Sequence, residues 1–281
     1  MGAIEEFMTD KKYFQDKSYL RDKQYKDSSN LEARANLHRL YSTSAYDWPE
    51  WVFDQLNLQP GMTVLECGCG PGWLWHHNLE RIPENCQITL SDFSEGMVSE
   101  AQTALSDSDH DFRFQTVNIE EIPFPDDSFA VVVANHMLYH VPDVEKGLAE
   151  VRRVLKPNGR FYAATNGNDH MKEIRELVFQ LAPAATEYEQ RWLTFCLENG
   201  RSLLETTFDS VELLDYPDSL AVTEVEPLIA YIQSMSSLHA SGVDEETAVA
   251  KMQELAPVLA QKIETHGSFH ITKSSGLFTA C

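Results

Sequence analysis

The segment Val64–Gly72 reads VLECGCGPG, an apolar run that leads into glycine at every second position. Such a run predicts a buried strand and a tight turn before a helix that begins at Trp73. Glycine tolerates positive φ angles and lets a ligand approach the main chain closely. We therefore expect Gly68, Gly70 and Gly72 to line a nucleotide crevice at the carboxyl edge of a sheet, with a ligand against the backbone.

The charges around this turn disfavour the two common phosphate-binding loops. The dinucleotide fingerprint needs a third glycine where this chain has Trp73, and the phosphate loop needs a lysine before a serine or threonine. No Lys or Arg occurs between Met62 and Glu80, and Glu66 stands where it would repel a pyrophosphate. A nicotinamide-dependent oxidoreductase is therefore disfavoured, and the turn suits a cationic or hydroxyl-bearing ligand.

Several segments, in the right order, resemble the motifs of the class I S-adenosylmethionine-dependent methyltransferases. Glu66–Gly72 is similar to the first motif of that family, whose cofactor carries a sulfonium and no phosphate. Ile88–Ser94 resembles its second strand, which ends in a carboxylate. The resemblance continues through Ile119–Phe129, Val131–His136 and Arg153–Tyr162, and spans residues 64–165.

The resemblance implies an α/β fold with a Rossmann-like, doubly wound and mostly parallel seven-stranded sheet whose last strand is antiparallel. Helical periodicity over Leu31–Tyr41 and Trp48–Leu56 predicts two helices, and the resemblance implies that residues 1–60 form an N-terminal helical lid over the cofactor. Residues 1–7 read as a leader added by cloning ahead of Met8. Residues 61–281 are expected to form the methyltransferase domain, with helical cap insertions at about 169–205 and 224–265 and a strand–turn–strand ending over Phe269–Ala280.

The same resemblance assigns a cofactor site. An acid at Asp92 would accept the ribose hydroxyls, and the amide of Asn118 stands where the family usually has an aspartate for the adenine amino group. Ala130 is a second departure, at the start of the fourth strand. The expected cofactor-binding residues are Glu66, Gly68, Gly70, Gly72, Trp73, Asp92, Phe93, Met97, Asn118, Ile119 and Asn135, with Tyr25 from the lid.

Methyl transfer asks an enzyme mainly to align the acceptor with the carbon–sulfur bond and to exclude water. A base is needed only when the acceptor must lose a proton. In the family the segment after the fourth strand, Asn135–His140, faces the transferred methyl. His136 is the candidate base or hydrogen-bond partner, with bracing of the loop as the alternative; Tyr139 would orient an acceptor or simply pack.

Three residues are expected to contact the acceptor: His38, Tyr139 and His140. His140 has a structural alternative, which is to bond the turn at Pro142 and Asp143. Arg34 is open to two interpretations, binding of an acidic acceptor or a solvent-facing salt bridge. An acidic rim would instead favour a cationic amine, so both acceptor charges stay open.

The composition narrows the class of partner. A formal net charge of −22 repels nucleic acid and anionic lipid. No apolar run approaches the ~18 residues of a membrane span, and no secretory signal begins the chain. The five cysteines fit a reducing cytoplasm, and Cys67 and Cys69 lack the second pair that a zinc site needs, so no metal is expected.

The predicted function is therefore cytoplasmic methylation of a small molecule on oxygen, nitrogen or carbon, with release of S-adenosylhomocysteine. Neither nucleic acid nor membrane is an expected partner, and the oligomeric state stays open. The alternative is a scaffold or regulator that binds S-adenosylmethionine without turnover.

Overall fold

The computed structural model describes residues 17–181, 194–234 and 245–281. The strands are β1 (Thr63–Cys67), β2 (Gln87–Asp92), β3 (Asp111–Thr116), β4 (Phe129–Asn135), β5 (Leu155–Asn166), β6 (Val211–Tyr216), β7 (Ser219–Val222), β8 (Phe269–Thr272) and β9 (Ser275–Ala280). Within the described ranges, seven of them form one sheet in the order β3-β2-β1-β4-β5-β9-β6. Strands β1 to β5 pair in parallel, and β9 is antiparallel to both β5 and β6. The predicted fold class is confirmed.

The helices are α1 (Ser29–Tyr41), α2 (Trp48–Leu56), α3 (Trp73–His76), α4 (Glu95–Ala104), α5 (Val144–Val154), α6 (Lys172–Leu181), α7 (Leu197–Leu204), α8 (Val225–Gln233) and α9 (Glu245–His266). Ahead of them, Lys17–Tyr19 and Leu20–Gln24 form a short helical stretch. The predicted helix over Trp48–Leu56 is present with the same bounds. The leader at residues 1–7 and the middle of the first predicted cap, residues 182–193, lie outside the described residues.

Strand register brings the predicted site segments to one edge of the sheet. Cys67 pairs with Ser91 on one side and with Ala134 on the other. The residues that follow these three positions along their parallel strands therefore reach the same level at the carboxyl edge. They are Gly68, Asp92 and Asn135.

A second, smaller sheet pairs β7 with β8 in antiparallel fashion. Helices α1, α6, α8 and α9 pack around it and bury an apolar cluster separate from those on the main sheet, which includes Leu37, Ile174, Leu220, Leu228, Ile232, Leu259 and Ile271. We call these six elements the cap unit. They draw on sequence from residue 29 to residue 272.

The chain end differs from a simple strand–turn–strand. Both strands are present, but β8 joins the cap unit whereas β9 joins the main sheet, so Lys273 and Ser274 link the two sheets. Helix α7 packs against β6 and β9. No helix of the described ranges is long and apolar enough to cross a membrane.

Candidate functional site

A cavity of about 1020 Å³ opens between the carboxyl edge of the main sheet and helix α1 of the cap unit. All of the predicted site residues except Gly72 line it. The two ends of the cavity are lined by different parts of the chain. The end that we call the glycine half is lined by Glu66, Gly68, Gly70, Asp92, Phe93, Met97, Asn118 and Ile119; the cap half is lined by Arg34, His38, Trp48, His136, Tyr139, His170, Tyr231 and Lys273.

The three glycines of the turn have different jobs, although all have positive φ angles. A Cβ atom on Gly68 would lie 2.7 Å from Cβ of Met137, and one on Gly72 would lie 3.3 Å from Cβ of Ala101 in α4. At Gly70 the nearest atom would be a methyl of Leu31 at 3.9 Å. The expectation that a ligand explains all three glycines is therefore wrong for Gly68 and Gly72, where protein atoms occupy the space. Gly70 faces the open cavity.

Asp92 holds the turn in place. Its carboxylate accepts the backbone N–H of Gly70 at 3.0 Å and that of Ser94 at 2.8 Å. Burial raises the pKa of Asp92, and these two N–H groups oppose the rise. Removing this side chain would leave both amides without their acceptor, so Asp92 supports the fold of the turn as well as facing the cavity.

Glu66 is buried beneath the turn with 1% of its surface exposed. Its Oε2 accepts the indole N–H of Trp75 at 2.6 Å. Burial raises the pKa of Glu66 to about 8, although the Trp75 hydrogen bond opposes the rise. Trp75 is fully buried, whereas Trp73 lines the cavity.

The rest of the glycine half is largely apolar. Met97 and Ile119 are almost fully buried, and Phe93 lies beside them in the lining. Oδ1 of Asn118 accepts the backbone N–H of Glu120 at 3.2 Å. This amide oxygen is therefore engaged locally as well as exposed to the cavity, a feature that the sequence motif did not reveal.

The N-terminal segment closes over this half. The Tyr25 hydroxyl lies 2.8 Å from Nε2 of His140, and the Tyr25 carbonyl accepts the Ser94 hydroxyl at 2.8 Å. Lys17 pairs with Glu120 and lies 5.5 Å from the ring centroid of Phe93. The segment is thus held to the loops that follow β2, β3 and β4. The His140 side chain thus forms a hydrogen bond with the Tyr25 hydroxyl.

His136 lies where the two halves meet. Its φ angle is +57°, an unusual value for a residue with a side chain, and its N–H donates to the carbonyl of Ala164 at 3.1 Å. The ring lies 4.9 Å from that of Trp48, whose indole N–H donates to Asn135 Oδ1 at 3.3 Å. Nδ1 of His136 is buried and has no hydrogen-bond partner among the residues that the structure describes. Burial, and then the charge of Lys273, lowers the pKa of His136 to about 4.

Two more imidazoles lie in the cap half. His38 and His170 stack with ring centroids 6.0 Å apart, and Nδ1 of His38 is also buried without a partner. Burial, followed by the charge of Lys273, lowers the pKa of His38 to about 3. The ring of Tyr231 lies 6.0 Å from His38. Burial raises the pKa of Tyr139, so its hydroxyl keeps its proton.

Sequence reasoning missed His170, Lys273, Asp218, Asn166 and Ser275. Nδ1 of His170 accepts the Ser274 N–H at 3.3 Å, and Asn166 Oδ1 accepts the Ser275 hydroxyl at 2.8 Å. These residues belong to no local motif, because the crossing between the two sheets brings them together. The one sequence feature that could have indicated these residues was the polar stretch between the two apolar strands at the chain end.

The five cysteines are free thiols. Cys67 and Cys69 are buried beside the turn, and burial raises the pKa of Cys67 to about 12. No group of three or more His, Cys, Asp or Glu suited to a metal ion occurs among the described residues.

The glycine half fits an adenosyl sulfonium. Gly70 leaves open space against the main chain, Asp92 offers carboxylate oxygens beside it, and apolar side chains lie beyond. The Asp92 carboxylate also favours a positively charged sulfur over a phosphate. Fold and cavity together define a Rossmann-like, nucleoside-binding α/β protein.

Comparison with known proteins gives the family. Residues 65–163 match a family described as "Methyltransferase domain". Residues 65–163 are therefore a methyltransferase domain, which supports the predicted resemblance to the class I S-adenosylmethionine-dependent methyltransferases. The predicted family and its cofactor are confirmed.

The relatives cover different shares of the chain. The chain is 32% identical over 136 residues to the ubiquinone/menaquinone biosynthesis C-methyltransferase UbiE of Vibrio vulnificus, covering 48% of this chain and 50% of that one. It is 27% identical over 198 residues to UbiE of Bordetella avium, covering 69% and 72%. The chain thus spans about half the length of the Vibrio relative.

A solved structure supports the fold. Phosphoethanolamine N-methyltransferase 2 of Haemonchus contortus, in complex with phosphomonomethylethanolamine and S-adenosylhomocysteine, superposes with a TM-score of 0.57 at 15% identity. The match covers 95% of this chain and 59% of that one.

Proposed function

We propose that this chain transfers a methyl group from S-adenosylmethionine to a small-molecule acceptor and releases S-adenosylhomocysteine. The observation that carries the proposal is one continuous cavity that joins the open face of Gly70 and the carboxylate of Asp92 to the imidazole of His136 and the cap half. A cofactor site alone would serve a scaffold. A second, polar chamber beside it suits a second substrate.

In this proposal Asp92 accepts the ribose hydroxyls and Asn118 receives the adenine, as the family resemblance implies. Bound S-adenosylmethionine supplies an electrophilic methyl group on a positively charged sulfur. Glu66 sets a polar, buried floor beneath the turn, and Tyr25 holds the lid over the glycine half through His140. Within the predicted lid at residues 1–60, the segment that carries Tyr25 acts as the lid, whereas α1 belongs to the cap unit. Of the predicted cap insertions at about 169–205 and 224–265, α6, α8 and α9 act as the cap, whereas α7 packs on the main sheet.

The chain contributes orientation and exclusion of water. Trp48 packs against His136 and bonds Asn135, so the wall between the halves is rigid. Holding two reactants in line can contribute about 7–11 kcal/mol to lowering the barrier. A lid and a cap that meet over one cavity would supply this alignment.

His136 and Tyr139 are the proposed catalytic pair. The buried Nδ1 of His136 has no protein partner, so it is available to bind the acceptor or take its proton. Tyr139 keeps its hydroxyl proton and can donate it to an acceptor oxygen. The proposal covers oxygen, nitrogen and carbon nucleophiles; the Vibrio and Bordetella relatives are named for C-methylation.

We also propose that the protein works in the cytoplasm on a metabolite and not on nucleic acid. The net charge of −22 disfavours a polyanionic partner, and free thiols suit a reducing compartment.

Calorimetry and turnover test the function together. We expect S-adenosylmethionine and S-adenosylhomocysteine to bind, and NAD not to bind. Asp92→Asn, which keeps an oxygen for one backbone N–H, should weaken cofactor binding by about 1.5–3 kcal/mol. Turnover is then measured as S-adenosylhomocysteine release across a metabolite library. Binding without release from any acceptor would support the non-catalytic scaffold, and NAD binding in place of S-adenosylmethionine would refute the family assignment.

His136→Asn tests the catalytic role, because asparagine tolerates the positive φ angle at this position. With an acceptor from that library we expect kcat to fall by roughly 10²-fold or more, with cofactor affinity unchanged. His270→Asn, an exposed position on β8, is the matched control. Equal kcat in both variants would assign His136 to bracing of the loop.

A further inference from the structure

The cavity carries opposite charges at its two ends. Among the described residues that line it, the acids are Glu32, Asp47, Glu66 and Asp92. The negative charge of the glycine half is that of Asp92, because burial keeps the neighbouring Glu66 protonated, whereas Glu32 and Asp47 are exposed. The cap half instead contains the guanidinium of Arg34 and the ammonium of Lys273.

The other lining cations do not change this division. Lys17 pairs with Glu120, and Arg21 pairs with Asp22. Arg39 is exposed and donates to Asn36 at 2.8 Å. The cations that lie deep in the cavity are therefore those of the cap half.

Lys273 is a buried cation presented to this space. Its side chain is 7% exposed and pairs with Asp218, whose side chain is 0% exposed and does not line the cavity. Asp218 also accepts hydrogen bonds from Ser42, Thr43, Ser44 and Ser219. Burial opposes ionisation of this carboxylate, but the Lys273 hydrogen bond and charge keep the pKa of Asp218 below its ordinary value. An ammonium has three donors, and among the described residues Asp218 is the acceptor of one.

Three neutral imidazole rings line the cap half together with the two cations. His38, His136 and His170 all feel the charge of Lys273 and stay neutral at pH 7. Because Nδ1 of His170 accepts the Ser274 N–H, its ring proton is on Nε2. The buried Nδ1 atoms of His38 and His136 lack protein partners. The cap half thus offers N–H groups and positive charge, and no buried carboxylate of the described ranges faces it.

We propose that the acceptor is a small molecule that bears an oxyanion, an ionised phenol, enol or carboxylate, bound with its negative charge toward Lys273 and Arg34. This inference rests on the proposed function. A desolvated oxyanion gains charge-assisted hydrogen bonds from buried cations, whereas an amine cation would be repelled by the same groups. The cavity is then complementary to a cationic methyl donor at one end and an anionic acceptor at the other.

The charge arrangement also explains how a weakly basic site could methylate oxygen or carbon. An acceptor that binds already ionised needs no proton transfer to His136. Its electron pair forms the bond to the methyl carbon, and the pair of the broken carbon–sulfur bond stays on sulfur. When the oxyanion is the nucleophile, the two opposite charges cancel and no proton is released. When a carbon conjugated to the oxyanion is the nucleophile, the charges also cancel, and the proton on that carbon moves to the oxygen to restore the phenol or enol.

Matched aromatic probes test the carboxylate arm. We expect the protein loaded with S-adenosylhomocysteine to bind 4-hydroxybenzoate at least about tenfold more tightly than the neutral 4-hydroxybenzamide, and 4-(aminomethyl)phenol most weakly. The double variant Lys273→Gln/Asp218→Asn removes both members of the ion pair and avoids an uncompensated buried charge. It should lose most of the preference with its affinity for S-adenosylhomocysteine unchanged, and Arg34→Gln should also lose most of the preference.

A second probe tests the phenolate arm. The visible absorption of 4-nitrophenol reports its ionisation, so titration in the presence of the loaded protein gives the bound form directly. We expect the wild-type protein to lower the apparent pKa of 4-nitrophenol and the double variant not to do so. The neutral isostere 4-nitroaniline should bind equally to both.

Three results would overturn the inference. They are binding of the amide or the amine as tightly as the acid, an acid preference that survives in both Arg34→Gln and the double variant, and no measurable binding by either anion to the loaded protein. Whether the protein binds S-adenosylhomocysteine distinguishes a failure of the inferred acceptor class from a failure of the proposed function. If it binds and the charge preference is absent, only the acceptor class is wrong; if it does not bind, the proposed function is wrong.

Discussion

The glycine half and the cap half of the cavity are built in different ways. The glycine half comes from residues 66–119, and backbone groups fix it: Asp92 holds the N–H groups of Gly70 and Ser94. The cap half comes from residues 34–273, and side chains from five separate stretches meet there. A local motif therefore describes the first half. Only the packing of two sheets describes the second.

The largest expected effect separates the two kinds of glycine in the first half. Gly68→Ala would place a methyl group 2.7 Å from Met137 on a backbone with φ of +72°. Overpacking and the left-handed conformation together should lower the free energy of unfolding by roughly 2–5 kcal/mol. Urea unfolding of the ligand-free protein measures this.

Gly70→Ala is its matched partner. The new methyl group would face open space, so we expect a loss of only about 1–2 kcal/mol in stability from the φ angle. Cofactor affinity should fall instead, because the methyl group lies where the ligand approaches the main chain. Equal unfolding free energies for the two variants would contradict the division of roles among the glycines.

The buried Glu66 predicts a pH dependence of stability. Its pKa is raised to about 8 in the folded protein from an ordinary value of 4.5. Its contribution is therefore fully present below about pH 4.5 and is lost as pH rises through 8. Glu66→Gln can still accept the Trp75 N–H and does not ionise, so its advantage over wild type should grow by about 1.4 kcal/mol per pH unit in that window.

Thermal unfolding of the ligand-free proteins from pH 4.5 to 9 checks this, with Glu150→Gln as a control whose difference from wild type should stay constant over that range and change only below pH 4.5. The Arg153 hydrogen bond lowers the pKa of Glu150, so stability from that group is lost as pH falls. A constant difference between Glu66→Gln and wild type across the window would refute the buried, protonated carboxyl.

The smallest effect concerns the lid. Tyr25→Phe removes the 2.8 Å hydrogen bond to His140 and leaves the ring in place. We expect weaker binding of S-adenosylmethionine by about 0.5–1.5 kcal/mol with unchanged global stability. Tyr46→Phe, at a ring that is 37% exposed, is the control. Unaltered affinity in both variants would mean that the lid does not hold the cofactor.

Much of the glycine half could be predicted from the sequence. Parallel strands end at one edge, so motifs that follow β1, β2 and β4 must converge, and all the predicted residues but Gly72 line one cavity. The ligand explanation of the glycines was too broad, because contacts with Met137 and Ala101 arise from packing that no motif encodes.

The cap half could not be predicted in the same way. Strand β7 is four residues long, and its partner β8 lies some fifty residues later, so no periodicity announces the small sheet. Lys273 reaches the cavity only because the chain crosses between two sheets at that point. His170 likewise owes its place to the Ser274 backbone. Long-range pairing decides such positions.

The most direct test of this account is a crystal structure of the protein with S-adenosylhomocysteine and 4-hydroxybenzoate. We predict that the ribose hydroxyls will lie against Asp92, over Gly70. The carboxylate of 4-hydroxybenzoate will lie between Lys273 and Arg34. An adenosyl group bound away from the Gly70 turn, or an acid directed away from both cations, would contradict it.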